Sequence, residues 1–360
     1  MPVKRSTITD VAAHAGVSKA TVSAVLNAVG SVRGATRERV LASIEALDYR
    51  PVVGAGAAAP RTGAARGTGG TIGLLIKEAE NPYYAGLEAG VRVVADACGY
   101  TLLVTSSEGD YAAERRAVEL MYAKEVDGLL VTPLLDAFAD LSHYFNLKRR
   151  DFPFVLLEEV RGLPASLVDV DNVQAAWAAT DHLIGLGHTR LVHFAGPAYS
   201  VHAQERVHGV RRACSGVPLV FNDAHVVRAG AHLADGYRAA LAYFADLAPD
   251  VRPTGVTCYN DLIAVGVCRA LSELGLRVPE DVSVVGFDDI PIVEYLAVPL
   301  TTVRVPQAEM GRLAAELLVA QIKGGAPARP VRQFLDAQLV VRASTRPPAG
   351  ASPRRAPAAA

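Results

Sequence analysis

The chain has 360 residues and a net charge of −1, and 51% of its residues are hydrophobic against 20% charged. These values describe a folded protein with room for two or three domains, and they exclude a disordered chain. Four scattered cysteines form no Cys-x-x-Cys pair and no run of about 18 apolar residues occurs, so we predict no zinc cluster, disulfide framework or membrane span.

Basic residues are concentrated near the amino terminus. Residues 1–70 carry nine basic and four acidic side chains, so their net charge is +5 and that of residues 71–360 is −6. A basic head on an acidic body is expected when only the head binds a polyanion. The amino terminus lacks the uninterrupted apolar core of a secretion signal, so we expect the protein to stay in the cytoplasm.

Residues 5–52 predict a small all-α domain of three short helices. In the first helix apolar residues recur at i, i+3, i+4 and i+7, and Thr7 with Asp10 forms a capping-box-like pair at its start. Gly16 supplies the backbone freedom that the following tight turn needs, and Ser18 can cap the second helix. A third helix follows and stops before a proline.

Residues 53–70 predict a flexible linker, because they are rich in Gly and Ala and contain hardly any large apolar side chain. The spacing Gly54-x-Gly56-x-x-Ala59 imitates a dinucleotide-binding fingerprint. No strand precedes it, so we predict no nucleotide site there.

From residue 71 onward, short apolar runs alternate with amphipathic helical stretches, which predicts a parallel, doubly wound α/β architecture. This segment of about 270 residues is longer than a domain built on one sheet usually is, so we expect two lobes with a cleft between them. The predicted boundaries are an α/β domain at 71–345, a lobe boundary near 162–166, crossovers near 290 and 325, and a disordered tail at 346–360. The predicted strands are 71–76, 101–105, 128–131, 154–157, 191–195, 255–259 and 282–287, and predicted helices include 83–98, 173–186, 232–246 and 261–274.

The second short helix is the best candidate for contact with DNA. Its polar first turn predicts a helix-turn-helix in the major groove, where Lys19 can reach guanine acceptors and Ala20 offers only an apolar contact. A third helix from Thr36 would add contacts to phosphates. From helix spacing alone, a plain three-helix interaction module is an equally good interpretation.

The segment TITDVAAHAGVSKATVSAVLN, residues 7–27, resembles the head of the lactose-repressor (LacI/GalR) family, whose pattern is T-I-x-D-V-A-x-x-A-G-V-S-x-x-T-V-S-x-V-L-N. Residues 36–40 and 47–51 continue the match. The resemblance implies a sequence-specific DNA-binding transcriptional repressor. By this resemblance and the helix geometry, the candidate DNA-binding residues are Thr7, Ser18, Lys19, Ala20, Thr21, Ser23, Ala24, Asn27, Arg33, Thr36 and Ala58.

Two departures from the family pattern predict altered DNA binding. Ala24 stands where relatives usually carry Arg, so one base-contacting group is missing. Ala58 stands where relatives insert a leucine into the minor groove, and Gly54 and Gly56 weaken the hinge helix around it. Because alanine is a poor wedge for unstacking a base step, we expect weaker operator binding or less DNA bending.

Residues 71–345 resemble the family's effector domain, which has a periplasmic-binding-protein-like fold. The resemblance implies that Tyr84 stacks on the effector while Arg206, Asn260 and Asp288 hydrogen-bond it. Each residue also has a purely structural alternative. Tyr84 could pack in the core and Arg206 could lie on the surface of a helix. Asn260 could cap a helix and Asp288 could form a turn. The matching motifs are Asn81-Pro82-Tyr83-Tyr84, Asp169-x-Asp171-Asn172, Arg206-x-x-Gly209, Asn260-Asp261 and Val284-Val285-Gly286-Phe287-Asp288-Asp289.

No catalytic constellation, metal site or cofactor is predicted. Asp169 and Asp171 are too local to establish a glycosidase pair, and His182, His188 and His193 are interpreted as structural. The resemblance implies a cytoplasmic, nucleoid-associated homodimer that binds double-stranded operator DNA and a small-molecule effector, either sugar-like or a purine. A secreted sugar-binding protein and an enzyme on the same scaffold are the alternatives from other classes.

Overall fold

The computed structural model describes residues 7–26, 33–47, 70–135, 139–324 and 329–350. Asn27, Ala58, the predicted linker up to residue 69 and residues 351–360 of the predicted tail lie outside these ranges. By its internal contacts the chain divides into two compact units, Met1–Ala65 and Arg66–Ala360.

The described part of the first unit, residues 7–26 and 33–47, contains three helices, as predicted. They are α1 (Ile8–Ala15), α2 (Lys19–Leu26) and α3 (Gly34–Ala46), so the third begins two residues before the predicted start. Their apolar faces meet in one small core. Its buried members are Val11, Ala12, Ala15, Val22, Val25 and Val40.

Local sequence explains where the first two helices begin and end. The Thr7 hydroxyl accepts from the Asp10 backbone N–H, and the Asp10 carboxylate accepts from the Thr7 N–H at 2.7 Å, which confirms the predicted capping box. Gly16 follows α1 with φ of 62°, the left-handed conformation that favours glycine. Ser18 Oγ accepts from the Thr21 N–H at 3.1 Å at the start of α2.

The second unit contains two parallel sheets that are covered by helices, which confirms the predicted α/β class. All seven predicted strands are present within two residues at each end. The strands are β1 (Thr71–Ile76), β2 (Thr101–Ser106), β3 (Gly128–Val131), β4 (Phe154–Leu156), β5 (Ser166–Val170), β6 (Leu191–Ala195), β7 (Val226–Arg228), β8 (Gly255–Cys258), β9 (Ser283–Val285), β10 (Thr302–Arg304), β11 (Arg332–Leu335) and β12 (Gln338–Val340). The six-stranded sheet of the first lobe has the order β11-β5-β4-β3-β1-β2, and the four-stranded sheet of the second has the order β7-β6-β8-β9.

Helices cover both sheets and enclose their buried faces. No helix within the described ranges is long and apolar enough to cross a membrane. The helices of the second unit are α4 (Tyr83–Ala97), α5 (Tyr111–Ala123), α6 (Ser142–Arg149), α7 (Asn172–Gly185), α8 (Val201–Ser215), α9 (Leu233–Phe244), α10 (Asp261–Glu273) and α11 (Gln307–Ile322).

The chain crosses between the lobes at positions that differ from the predicted ones. Strand β5 pairs with β4 and β11 in the first sheet, so the lobe boundary follows Val170 and does not lie near 162–166. Antiparallel strands β10 and β12 form a ribbon beside the second lobe, while α11 and β11 belong to the first. The later crossovers therefore lie at 304–307 and 335–338, instead of near 290 and 325. The positions of the crossovers depend on which strands pair across long distances in the sequence. Local apolar patterns do not report that pairing.

The ordered chain continues past the predicted start of the tail. The Arg346 N–H donates to Ser283 Oγ at 3.1 Å, and the Arg346 carbonyl lies 2.9 Å from a ring nitrogen of His188. These contacts attach the segment to the second lobe, so disorder does not begin at residue 346.

Glycines bring two helices of the first lobe into backbone contact. A Cβ at Gly90 of α4 would lie 1.8 Å from the Ala308 carbonyl oxygen, and one at Gly311 of α11 would lie 2.1 Å from the Leu87 oxygen. This close packing fixes α4, whose first turn carries Tyr84 at the edge of the cleft.

Candidate functional site

The amino-terminal unit presents an exposed face at the start of α2. Lys19 and Ala20 are exposed, while Val22 and Val25 on the opposite side are buried against the other helices. Arg33, at the start of α3, is also exposed. This arrangement places a cation and small side chains where a recognition helix meets base edges and phosphates.

The remaining predicted DNA-binding residues fall into two groups. Thr7 and Ser18 are exposed, but their hydroxyls also cap α1 and α2, and Ser18 Oγ lies 2.9 Å from the Thr21 hydroxyl. The other group is only partly exposed, so its members have less surface to offer to DNA. This group consists of Thr21, Ser23, Ala24 and Thr36.

A cleft of about 300 Å³ lies where the carboxyl ends of the strands of both lobes meet. Open α/β sheets bind ligands at this edge, because the loops there converge and helices begin there. All four predicted effector-binding residues line this cleft. They are Tyr84 at the start of α4, Arg206 on α8, Asn260 after β8 and Asp288 after β9.

Arg206 is the most constrained of the four. It is only 5% exposed, which rules out a surface-helix position. Its guanidinium carbon lies 3.6 Å from the centre of the Phe287 ring, Nε donates to Asn172 Oδ1 at 2.9 Å, and Nη1 donates to the Tyr259 carbonyl. The planar group is therefore held in one orientation beside the cleft, as a rigid donor should be.

Asp288 faces Arg206 without forming a hydrogen bond to it, since Nη1 lies 3.8 Å from Oδ1. Burial raises the pKa of Asp288 to about 7, although the charges of Arg206 and His202 act to lower it. Its φ of 114°, followed by 57° at Asp289, shows a strained turn. Asp288 thus forms the turn anticipated as its structural alternative and also presents a carboxyl group to the cleft.

Asn260 has a clear structural role. Its Oδ1 accepts from the Ile263 N–H at 2.9 Å and caps α10, while Nδ2 donates to the Ala231 carbonyl at 2.9 Å. Both polar ends are therefore used within the protein. The second bond positions the loop around Ala231, which also lines the cleft.

Tyrosine side chains supply the apolar surface of the cleft. Tyr84 is 8% exposed and meets Tyr83 edge to face, with ring centroids 5.2 Å apart. Tyr111 and Tyr259 line other parts of the wall. The cleft therefore combines aromatic faces with fixed polar groups.

Sequence reasoning missed a buried ionic network beside these residues. Lys77 pairs with Glu158, and both line the cleft: Lys77 directly follows β1, and Glu158 lies two residues after β4. His202 of α8 donates toward Asp169 of β5, with Nε2 2.8 Å from Oδ2. A charged residue at the end of an apolar run was the available signal for Lys77 and Glu158.

The three histidines that were interpreted as structural form hydrogen bonds with neighbouring side chains. A ring nitrogen of His182 lies 3.0 Å from the Thr345 hydroxyl, that of His188 lies 2.9 Å from Thr254, and that of His193 lies 2.9 Å from Thr257. Burial lowers the pKa of His188 to about 4 and that of His193 to about 3, so both rings are neutral at pH 7.

A helix-turn-helix unit combined with a two-lobed α/β unit that encloses a polar, tyrosine-lined cleft defines a DNA-binding regulator of the ligand-responsive class. Comparison with known families agrees. The profile described as "Bacterial regulatory proteins, lacI family" matches residues 7–52, and that described as "Periplasmic binding protein-like domain" matches residues 180–345.

Similar proteins cover nearly the whole chain. The "HTH-type transcriptional repressor PurR" of Aliivibrio fischeri is 34% identical over 343 residues, which is 94% of this chain and 98% of that protein. The structure described as "transcriptional regulator CelR-cellobiose complex" has a TM-score of 0.70 at 33% identity and covers 94% of this chain and 100% of its own. A lac repressor dimer bound to operator and the anti-inducer ONPF has a TM-score of 0.68 at 26% identity, over 95% and 100%.

The chain therefore belongs to the lacI family of bacterial regulatory proteins. It is a DNA-binding transcriptional regulator.

Proposed function

We propose that this regulator represses transcription from its own operator and responds to a neutral sugar or sugar derivative. The cleft that carries the proposal is rich in acceptors, because the carboxylates of Glu78, Asp235 and Asp288 all line it. Saccharides offer many hydroxyl donors, whereas a purine offers few N–H groups. The solved relative with bound cellobiose supports the same ligand class.

A purine or nucleoside is the second candidate effector. The observation that favours it is the group of tyrosines around the cleft, since flat aromatic rings stack on nucleobases as readily as they cover a sugar face. We propose that Tyr84 provides this surface, and that Arg206, Asp288 and Asn260 set the orientation of the ligand.

We propose that the regulator acts as a cytoplasmic, nucleoid-associated homodimer and not as an enzyme. A two-fold dimer would place two heads on a pseudo-palindromic operator. The lac repressor structure, which is a dimer on its operator, supports this assembly. The regulatory role of the relatives supports a binding function without catalysis.

Operator binding is tested by fluorescence anisotropy of the full chain with its upstream DNA and with random duplex at physiological salt. We expect a clear preference for the upstream DNA. Lys19→Ala should cost about 1–3 kcal/mol of discrimination, because a base contact is lost. Arg33→Ala should weaken binding to both duplexes equally and reduce the salt slope by about one, as a phosphate contact does. Equal affinity of the wild type for both duplexes, under every effector condition, would disprove repression.

The effector class is tested by a thermal-shift screen with neutral saccharides, nucleosides and nucleobases. We expect a saccharide to raise the melting temperature, and Asp288→Asn to remove most of this shift because an amide N–H₂ group replaces a carboxyl oxygen that accepts hydrogen bonds from the ligand. Asp246→Asn, at an exposed position beyond α9, is the matched control and should keep the shift. If only nucleobases or nucleosides stabilise the protein, the effector is a purine and the saccharide proposal is wrong.

A further inference from the structure

A histidine from the second lobe lies between two carboxylates of the first. His202 is in the first turn of α8, where Nε2 lies 2.8 Å from Asp169 Oδ2 and Nδ1 lies 3.7 Å from Glu158 Oε2. Its side chain is 12% exposed. Nε2 must carry a proton to donate to Asp169, and a second proton on Nδ1 would give the ring the positive charge that the nearby Glu158 carboxylate attracts.

Glu158 also joins the lobes by capping a helix of the other lobe. Its Oε1 accepts from Ser200 Oγ at 2.8 Å and from the His202 N–H at 3.4 Å, at the positive amino end of α8. Lys77 holds the same carboxylate from within the first lobe. Burial acts to raise the pKa of Glu158, but His202 and Lys77 lower it to about 2, so this carboxylate stays charged.

The other charged groups around His202 also favour the protonated form of its ring. Asp169 of β5 and Glu158 after β4 face it from the first lobe, and Lys77 after β1 neutralises one of these charges. On the second lobe, the neighbouring groups are two carboxyls and one guanidinium, namely Glu205, Asp288 and Arg206. Carboxyl groups thus outnumber cations around the ring.

We propose that His202 is a proton-dependent latch, whose imidazolium bridges Glu158 and Asp169 and holds the two lobes closed. Loss of the proton removes the positive charge and with it the ion-pair attraction to Glu158 at 3.7 Å, while a neutral ring can still donate from Nε2 to Asp169. The closed lobes enclose the effector, so the latch makes effector affinity, and hence operator response, increase as pH falls. This last link rests on the proposed function, whereas the latch itself requires neither DNA nor effector.

The direction of the pH dependence follows from the shifted pKa. Burial acts to lower the pKa of His202, but the charges of Asp169 and Glu158 outweigh it and raise the pKa above the ordinary 6.5. Stabilisation of the closed form is therefore complete below 6.5 and is lost as pH rises through the raised value. Each unit of difference between the pKa of His202 in the closed and open forms changes their ratio by up to about tenfold.

The latch is tested by measuring lobe separation in the full chain without effector. Spin labels at Ala112→Cys in the first turn of α5 in the first lobe and Ala242→Cys in the last turn of α9 in the second lobe, both exposed sites, report the distance by pulsed electron resonance. The exposed Cys98 is replaced by Ser, and labelled protein is diluted with unlabelled protein. Between about pH 6 and about pH 9 we expect the short-distance population to fall in favour of a longer one.

Three variants test whether the pH-dependent change in lobe separation comes from the His202 side chain. His202→Gln, which cannot be protonated, should show no pH dependence. His232→Gln should keep it, since His232, which pairs with Glu78 at 3.0 Å across the lobes, has a side chain that is 59% exposed, so solvent screens this pair more than the one at His202. Asp288→Asn should also keep it. A transition that persists in His202→Gln, or that disappears in either of the other two variants, overturns the proposal.

A titration of the wild-type protein removes dependence on the folding of any variant. The Cε1–H resonance of His202, identified by its absence in His202→Gln or by direct assignment, should titrate with a pKa above 6.5. A value at or below 6.5 excludes the latch, whether or not DNA binding and effector binding are found.

Discussion

Val22→Asp should abolish operator binding and leave the effector domain folded. Val22 is 0% exposed in the small core of the amino-terminal unit, where it packs with Val11 and Val40. An ionised carboxylate in an apolar core costs several kcal/mol, which is comparable with the whole stability of a small domain. We expect affinity for the operator to fall by at least about 1,000-fold, to the level of random duplex.

The measurement is anisotropy with operator DNA, combined with circular dichroism and thermal melting of the effector domain. Leu41→Asp is the matched control, because Leu41 is 50% exposed on α3 and the same substitution there buries no charge. The second unit should melt as in the wild type, since the chain divides into two compact units. Operator binding that survives Val22→Asp, or that Leu41→Asp damages equally, would show that this core does not control the DNA-binding surface.

Arg206→Leu should remove the response to the effector without removing operator binding. The substitution deletes the donor to Asn172 and leaves the buried Asp288 without its nearest cation. A hydrogen bond to a charged donor contributes about 1.5–3 kcal/mol, so loss of the guanidinium from the cleft should lower effector affinity by at least about tenfold. Because Arg206 lowers the pKa of Asp288, its loss should raise that pKa above the present value of about 7.

Calorimetric titration with the saccharide found in the thermal-shift screen measures this effect. Arg206→Lys should not restore binding, because an ammonium group cannot reproduce the planar stacking on Phe287. Arg211→Leu lies on the same helix but removes an exposed arginine that pairs with exposed Asp223, and it should bind normally. Wild-type affinity in Arg206→Leu would remove this residue from the binding site.

The effector-binding candidates show how far sequence reasoning extends. Tyr84, Arg206, Asn260 and Asp288 were placed together by resemblance and by the rule that strand ends meet at one edge of a sheet. The structure brings all four to one cleft. It also gives Asn260 a capping role, which its position before a helix had suggested as the alternative.

The ionic contacts beside the cleft were not predicted, because they join residues that are far apart in sequence. They involve Lys77, Glu158, His202 and Asp169. Lys77 and Glu158 are 81 residues apart, and His202 and Asp169 are 33 apart on different lobes. Local periodicity reports only which face of an element is apolar. It does not report which buried charges the folded chain brings together.

Local sequence was enough to predict the three-helix head, its capping box, the turn at Gly16, the positions of seven of the strands and the α/β class of the body. These features depend on residues within one or two turns of each other, so local chemistry is sufficient. Tertiary structure alone decided that β5 joins the first sheet, that the chain crosses between lobes after Val170, and that His202 faces two carboxylates. Such features are set by packing and electrostatics between distant segments, which exist only once the chain has folded.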